Sequence, residues 1–453
     1  MNILIKNGRV IDPSSSLDKV CDVYIQDARV LAIGACVQAF KADTVIEAKG
    51  HVVAPGLVDL MARLKEPGYE HEGMLESELK ACVTGGVTTL VCPPDTDPVL
   101  DEPGLVDMLK FRAEKMHLAR VHPLGALTKG LHGEALTEMF ELSQAGCIGF
   151  GQAEISISNT QVLQRAMQYA ATYGYCVWLR PQDYYLGQGV AASGALATRL
   201  GLSGVPVAAE TIALNTIFAL MRSTGAKVHL CRISSAAGVA LVAGAKAEGL
   251  PLSCDVSINS LHLIDQDIGF FDSRARLTPP LRQQGDREAL REGLANGVID
   301  ALVSDHNPVE GDLKAIPFAQ AQPGATGVEL LLSLALKWGA QQKLSLIDTL
   351  RVVTSGPAKL LRDAAQEKET QIPSGPSSSA LSLTSLGGLG ELRVGGIADI
   401  CIFDPEVTWM VNPLSLRSQG KYTPFDFEMG GTAMIGSVQS TLVGGQVAYS
   451  KNS

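Results

Sequence analysis

Met61 and Arg63 stand two residues apart in the run Pro55-Gly56-Leu57-Val58-Asp59-Leu60-Met61-Ala62-Arg63-Leu64. At that spacing a strand turns both side chains to one face, and two histidines so placed would hold a divalent metal. A thioether is a weak, soft ligand and a guanidinium is a permanent cation, so neither replaces a neutral imidazole. Two more arginines follow short apolar runs: Arg180 in Trp178-Leu179-Arg180-Pro181, and Arg232 in His229-Leu230-Cys231-Arg232-Ile233-Ser234-Ser235. Asp305, in Ser304-Asp305-His306-Asn307-Pro308, is placed in the same way.

The elements that must position these residues alternate. Residues 1 to about 50 switch between polar and apolar positions, and Asn7-Gly8 reads as a tight hairpin turn. From about 52, short apolar or β-branched runs alternate with helical stretches such as Glu102 to Leu118. Candidate strands lie at Val58, Val87, Arg120 to Leu124, Cys147 to Phe150, Cys176 to Leu179, Val228 to Cys231, Leu252 to Val256 and Ala301 to Ser304. Eight such units over 52–365 fit an α/β fold, a (β/α)8 barrel. Gln366 to Gly390, rich in Ser, Gly and Pro, reads as a mobile loop. Strand patterning returns in 391–453, which lets the C-terminus complete the β module begun by 1–51 as one small domain.

Composition sets the class. A chain of 453 residues, 46% hydrophobic, buries a large core. A net charge of -10 with no basic run excludes a phosphate backbone or an anionic membrane as the main partner. Nine scattered cysteines without a CxxC pair read as reduced thiols in a cytoplasmic protein. The first residues do not read as a cleavable signal and no apolar run reaches bilayer-spanning length, so the expected compartment is the cytoplasm.

The ordered motifs PGLVDLMARLKEPG, GGVTTLVCPPDTDP, LTPPLR, SDHNP and TSGPAKLL together resemble dihydroorotase of the amidohydrolase superfamily, over nearly the whole chain. The resemblance implies a TIM-like barrel flanked by a β-sandwich, with one or two zinc ions at the barrel mouth. There the metal activates water against a cyclic amide while an Asp of the last strand moves the proton. It also assigns positions. The first-strand histidine pair corresponds to Met61 and Arg63, the fourth-strand bridging ligand to Gln152, and the fifth- and sixth-strand histidines to Arg180 and Arg232. Glu154 is the one carboxylate near Gln152. Only the eighth-strand Asp survives, as Asp305. Of the substrate positions, Arg becomes Lys65 and two asparagines become Asp95 and Thr278, and the Asp95 carboxylate would repel anionic dihydroorotate.

A dication about 4 Å from one guanidinium is opposed by roughly 8 kcal/mol at an effective dielectric near 20. Three arginines converge here, so zinc is expected to be absent and the chain inactive. The expected role of Arg63, Arg180 and Arg232 is structural, pairing with Asp305 in place of the lost metal charge; the alternative is binding of a small anion. His229, His262 and His306 are expected to be packed or hydrogen-bonded, and Cys92 and Cys231 to be core thiols. Ser234, Ser235 and Ser260 lack a nucleophile elbow.

The resemblance also implies a partner, because inactive dihydroorotase-like chains serve as subunits of bacterial aspartate carbamoyltransferase. The expectation is therefore an assembly subunit for the catalytic chain of that enzyme, with homo-oligomer contacts inside the hetero-oligomer. The competing readings are an active cyclic-amide hydrolase with displaced ligands such as Glu154, His229 or His306, and a metal-free anion-binding regulator.

Overall fold

The computed structural model describes residues 1–371, 388–426 and 433–451. Its centre is a parallel barrel of β1 (Leu57–Asp59), β2 (Val87–Cys92), β3 (Arg120–Ala126), β4 (Gly149–Gly151), β5 (Cys176–Leu179), β6 (Lys227–Leu230), β7 (Leu252–Ser257) and β8 (Ala301–Val303), each hydrogen-bonded to the next. The strands are apolar almost throughout because both faces are covered: β2 is buried at all six positions. One face packs on the ring of helices. The other fills the barrel with Val58, Leu60, Val91, Leu124, Trp178 and Val303.

Each strand is followed by a ring helix: α1 (Leu75–Thr84), α2 (Pro103–Lys115), α3 (Met139–Ala145), α4 (Thr160–Thr172), α5 (Val207–Thr224), α6 (Ala236–Glu248), α7 (Gln284–Ala295) and α8 (Leu331–Gln341). The seam between β1 and β8 is closed by side chains. The buried Asp59 carboxylate accepts the Ser304 hydroxyl and, at 3.1 Å, the Ser304 N–H. Just beyond, Arg63 N–H donates to the His306 carbonyl at 2.8 Å. Burial pushes the Asp59 carboxyl up to about 6, with Ser304 pulling against it.

Both termini build the second module. Gln446–Ser450, Met434–Val443, Ile400–Trp409, Val52–Pro55, Asn2–Asp12, Leu17–Gln26 and Arg29–Ile33 pair in that order, and Thr44–Glu47 adds to Asn2–Asp12. Val52–Pro55 thus belongs to this sheet, which reaches past residue 51. The chain enters the barrel at Gly56, where a Cβ would lie 2.2 Å from the Thr88 hydroxyl oxygen. Arg120 at the start of β3 pairs with Asp399, and Thr441 donates to the Val83 carbonyl at 2.6 Å, locking the module to the barrel.

Two expectations change. Asn7-Gly8 is not a hairpin turn. It lies inside the strand Asn2–Asp12 at a register shift between Ile5 and Gly8, and the reversal comes at 13–16. Asn7 takes a left-handed φ of 59°, its N–H donates to Asp22 at 2.9 Å, and its side chain donates to Glu47 at 3.0 Å. The same left-handed tolerance that suits a turn suits this bulge. Gln366 to Gln371, expected to belong to a loop, lie instead in the last helix, Ser355–Gln371. Positions 372–387 of that segment lie outside the described residues, and 388–390 form a turn with Leu389 buried.

The bulge predicts that Asn7→Val, which forces a β-branched residue into a left-handed conformation, lowers stability by about 1–2 kcal/mol. Asn7→Gly should cost less than about 1 kcal/mol. The urea unfolding midpoints of the two variants test the order.

Candidate functional site

The strands end by turning left-handed. Lys65 after β1, Ala153 after β4, Arg232 after β6 and Asp305 after β8 have φ of 66°, 49°, 56° and 51°. Such conformations cost non-glycine residues of order 1–3 kcal/mol and persist where the surroundings hold them. Asp255 of β7 holds one of them, since it accepts the Arg232 N–H at 2.7 Å while also bonding the His229 ring at 2.9 Å. His229 is fixed from its other side by Ser253 at 2.8 Å.

The barrel mouth thus gathers Arg63, Arg180 and Arg232 around one carboxylate, and that carboxylate is Glu154. Arg63 donates to it at 2.7 Å, the Arg180 Nε lies 2.7 Å away, and Arg232 makes a short contact. Two more acids complete the cluster. Asp95 accepts from Arg63 at 2.9 Å, and Asp305 accepts from Arg232 at 2.8 Å. Three cations therefore meet three anions. Burial works to raise the Glu154 carboxyl, but Arg232, Arg180 and Arg63 outweigh it and hold it well below the usual carboxylate range. Burial raises the Asp305 carboxyl, with Arg232 only partly offsetting it. Burial also lowers Arg180, whose main counter-charge is the shared Glu154.

The pairing differs from the expected one. Of the three arginines only Arg232 is bonded to Asp305; Glu154 is the shared acceptor. Gln152, aligned to the bridging position, is turned away and donates to the Thr128 hydroxyl at 2.9 Å and the Leu131 carbonyl at 2.8 Å. Asp95 is neutralised by Arg63 rather than left to face a ligand. Met61 is 4% exposed and packs in the barrel interior. Lys65 pairs with Glu72, and the Thr278 carbonyl accepts from Arg232 at 3.2 Å.

These residues do not fit zinc. A guanidinium occupies each position after β5 and β6 and one of the two after β1, and the acids that could bind a metal already bind arginines. The void that Arg180 and Arg232 line with Glu210, Ser234 and Arg282 measures about 10 Å³, room for one water. Among the described residues one other group has metal-type ligands, His229, Cys231 and Asp255, within 4.8 Å of one another in the barrel interior. Its imidazole and carboxylate are already bonded as above, and burial pushes the Cys231 thiol well above its usual range. His306 bonds Glu78 at 2.8 Å, and His262 bonds the Leu334 carbonyl at 2.9 Å, burial pushing it down to about 3. Neither reaches the arginines.

Comparison with known proteins places this frame. Residues 50–237 match the family described as dihydro-orotase-like. A "Dihydroorotase-like protein" of Pseudomonas aeruginosa is 40% identical over 450 residues, covering 99% of this chain and 100% of its own. The chain belongs to the dihydroorotase-like family. A second "Dihydroorotase-like protein", from Pseudomonas putida, is 41% identical over 99% of each chain. A "Dihydroorotase" of Geobacter sp. (strain M21) is 36% identical over 99% of each. The L-hydantoinase of Arthrobacter aurescens superposes with a TM-score of 0.83 at 24% identity, covering 99% of this chain and 96% of its own, and so shares the fold.

What the sequence reading of this family member missed was the role of Glu154. The available signal was electrostatic: three arginines converging in a buried mouth need a shared counter-ion, and Glu154 is the carboxylate nearest Gln152. Removing one partner of a buried pair costs about 3–5 kcal/mol. Glu154 is itself 30% exposed, so Glu154→Gln is expected to lower stability by less than that, about 1.5–3 kcal/mol, whereas Met61→Leu, which conserves volume, should cost less than about 1.5 kcal/mol. The pH dependence has a definite sign. A depressed carboxyl contributes stability that is present above its unfolded value of about 4.3 and is lost as the pH falls below it. The thermal midpoint of the wild type should fall steeply below about pH 4, and this acid limb should be shallower in Glu154→Gln.

Proposed function

We propose that this chain is a catalytically inactive dihydroorotase homologue acting as a structural and assembly subunit of aspartate carbamoyltransferase in pyrimidine biosynthesis. The observation that carries the loss of activity is the closure of Arg63, Arg180 and Arg232 on Glu154 at the family's metal positions. Without a polarised carbonyl and an activated water, Asp305 alone offers at most about 10²- to 10⁴-fold acceleration as a general base, and its bond to Arg232 further engages it. The partner rests on the family resemblance: inactive members of this kind hold catalytic trimers of aspartate carbamoyltransferase in a larger complex. A retained barrel supplies rigid surface for such a contact after its own chemistry has decayed. The compartment proposed is the cytoplasm; among the described residues no helix is long and apolar enough to cross a membrane.

The reading as an active hydrolase draws on relatives named dihydroorotase and on the His229, Cys231 and Asp255 group. That group lies in the barrel interior, with its imidazole and carboxylate already engaged. The anion-binding regulator is disfavoured by the three carboxylates that already match the three arginines.

Co-expression with the aspartate carbamoyltransferase catalytic chain, followed by size separation, should give one large complex with no zinc and no dihydroorotate turnover in its fractions. Separate elution with stoichiometric zinc and turnover would overturn the proposal. Zinc that is lost in His229→Gln, without turnover in the wild type, would locate metal in the barrel interior and leave only the assembly role.

A further inference from the structure

A cavity of about 420 Å³ lies at the rim of the barrel mouth, between the loops that follow β1 and β8 and the segment 413–426 that follows the strand Ile400–Trp409. Its volume is that of a small-molecule site. None of Arg63, Arg180, Arg232 and Glu154 lines it. Its walls are tied down. Glu78 of α1 accepts the Ser418 hydroxyl at 2.6 Å and the Gln419 N–H at 2.9 Å. The Thr326 hydroxyl donates to the Gly420 carbonyl at 2.7 Å, and the Thr326 N–H to the Tyr422 carbonyl at 2.8 Å. A site held in shape before binding loses little entropy when it fills.

The charges that line the cavity sort into matched and unmatched. Glu72 is engaged by Lys65, and Asp426 by Arg274 at 2.9 Å, which Asp272 also holds at 3.0 Å. Lys421 and Glu310 are left over. Lys421 donates to the Leu416 carbonyl and, at 2.6 Å, to the Ser418 carbonyl, which leaves the third N–H of its ammonium open. Among the described residues no carboxylate lies within 4 Å of that ammonium, and no cation lies so near Glu310. The two are near neighbours across the cavity, since the Tyr422 hydroxyl lies 3.5 Å from where a Cβ on Gly311 would stand. The rest of the wall is apolar: Val309, Pro413, Leu414 and the ring of Tyr422. Leu414 is 85% exposed at its edge.

We propose that this cavity binds a free amino acid with a large apolar side chain, its carboxylate on Lys421, its ammonium on Glu310 and its side chain against Val309, Leu414 and Tyr422. Unmatched charges of opposite sign select a zwitterion, because a simple anion would face Glu310 and a simple cation would face Lys421. The apolar wall selects the body of the ligand, and the volume admits a side chain as large as an aromatic ring. The site stands apart from the arginine cluster and needs no partner enzyme. Its failure would leave the proposed function standing, and the failure of that reading would leave this site in place.

Titration calorimetry on the full-length chain tests this, with L-phenylalanine as the probe. The wild type should bind it with a dissociation constant below about 1 mM. N-acetyl-L-phenylalanine, which lacks the ammonium, and L-phenylalanine amide, which lacks the carboxylate, should each bind roughly 10-fold or more weakly, the worth of one charged hydrogen bond. Glycine, which lacks the apolar body, should not bind at about 10 mM. Glu310→Gln and Leu414→Ser, both at exposed positions, should weaken phenylalanine binding about 10-fold with unchanged circular dichroism. Glu310→Gln should also lose the preference for phenylalanine over its N-acetyl form, and Lys421→Met the preference over its amide. No binding by the wild type at about 10 mM phenylalanine, undiminished binding in both Glu310→Gln and Leu414→Ser, or glycine bound as well as phenylalanine would each overturn the proposal.

Discussion

The mouth of this barrel depends on one carboxylate shared by three guanidiniums. Cations about 4 Å apart repel by roughly 4 kcal/mol per pair at an effective dielectric near 20, so Arg63, Arg180 and Arg232 could not crowd there unaided. Glu154 ties the ends of β1, β4, β5 and β6 to one point, and Asp95 and Asp305 supply the remaining charge. In a metallohydrolase of this fold a central cation gathers anionic and neutral ligands. Here the polarity is inverted, with an anion inside and cations around it.

Beneath that cluster the frame is conventional and serves to aim it. Asp255 and His229 fix the backbone of Arg232, while Asp59 and Ser304 close the seam below Met61, Arg63 and Asp305. They hold the mouth in order from below, whatever chemistry it carries.

Much of this was legible in the sequence because burial leaves plain marks. Strands covered on both faces read as continuous apolar runs, so β5 was placed at Cys176 to Leu179, as observed, and the helix expected over Glu102 to Leu118 is Pro103–Lys115. Local signals with two physical outcomes were not decidable. Asn7-Gly8 suits a turn or a bulge, and only pairing with Leu17–Gln26 chooses between them. The polar run from Gln366 includes good helix formers, so its composition suits a helix as well as a loop. At the mouth, strand parity stops being a guide beyond Gly151. Ala153 turns left-handed, and after that turn Glu154 meets the arginines while Gln152 faces Thr128.

The neutrality of the cluster also constrains history. Placing a histidine at Arg232 alone would strand the buried Asp305 carboxylate, and deleting Glu154 first would leave three buried cations facing one another. Each of these two single changes is thus uphill by the cost of a broken buried pair. Under the loss of activity proposed above, such a mouth acts as a ratchet: a metal would return only by several simultaneous substitutions.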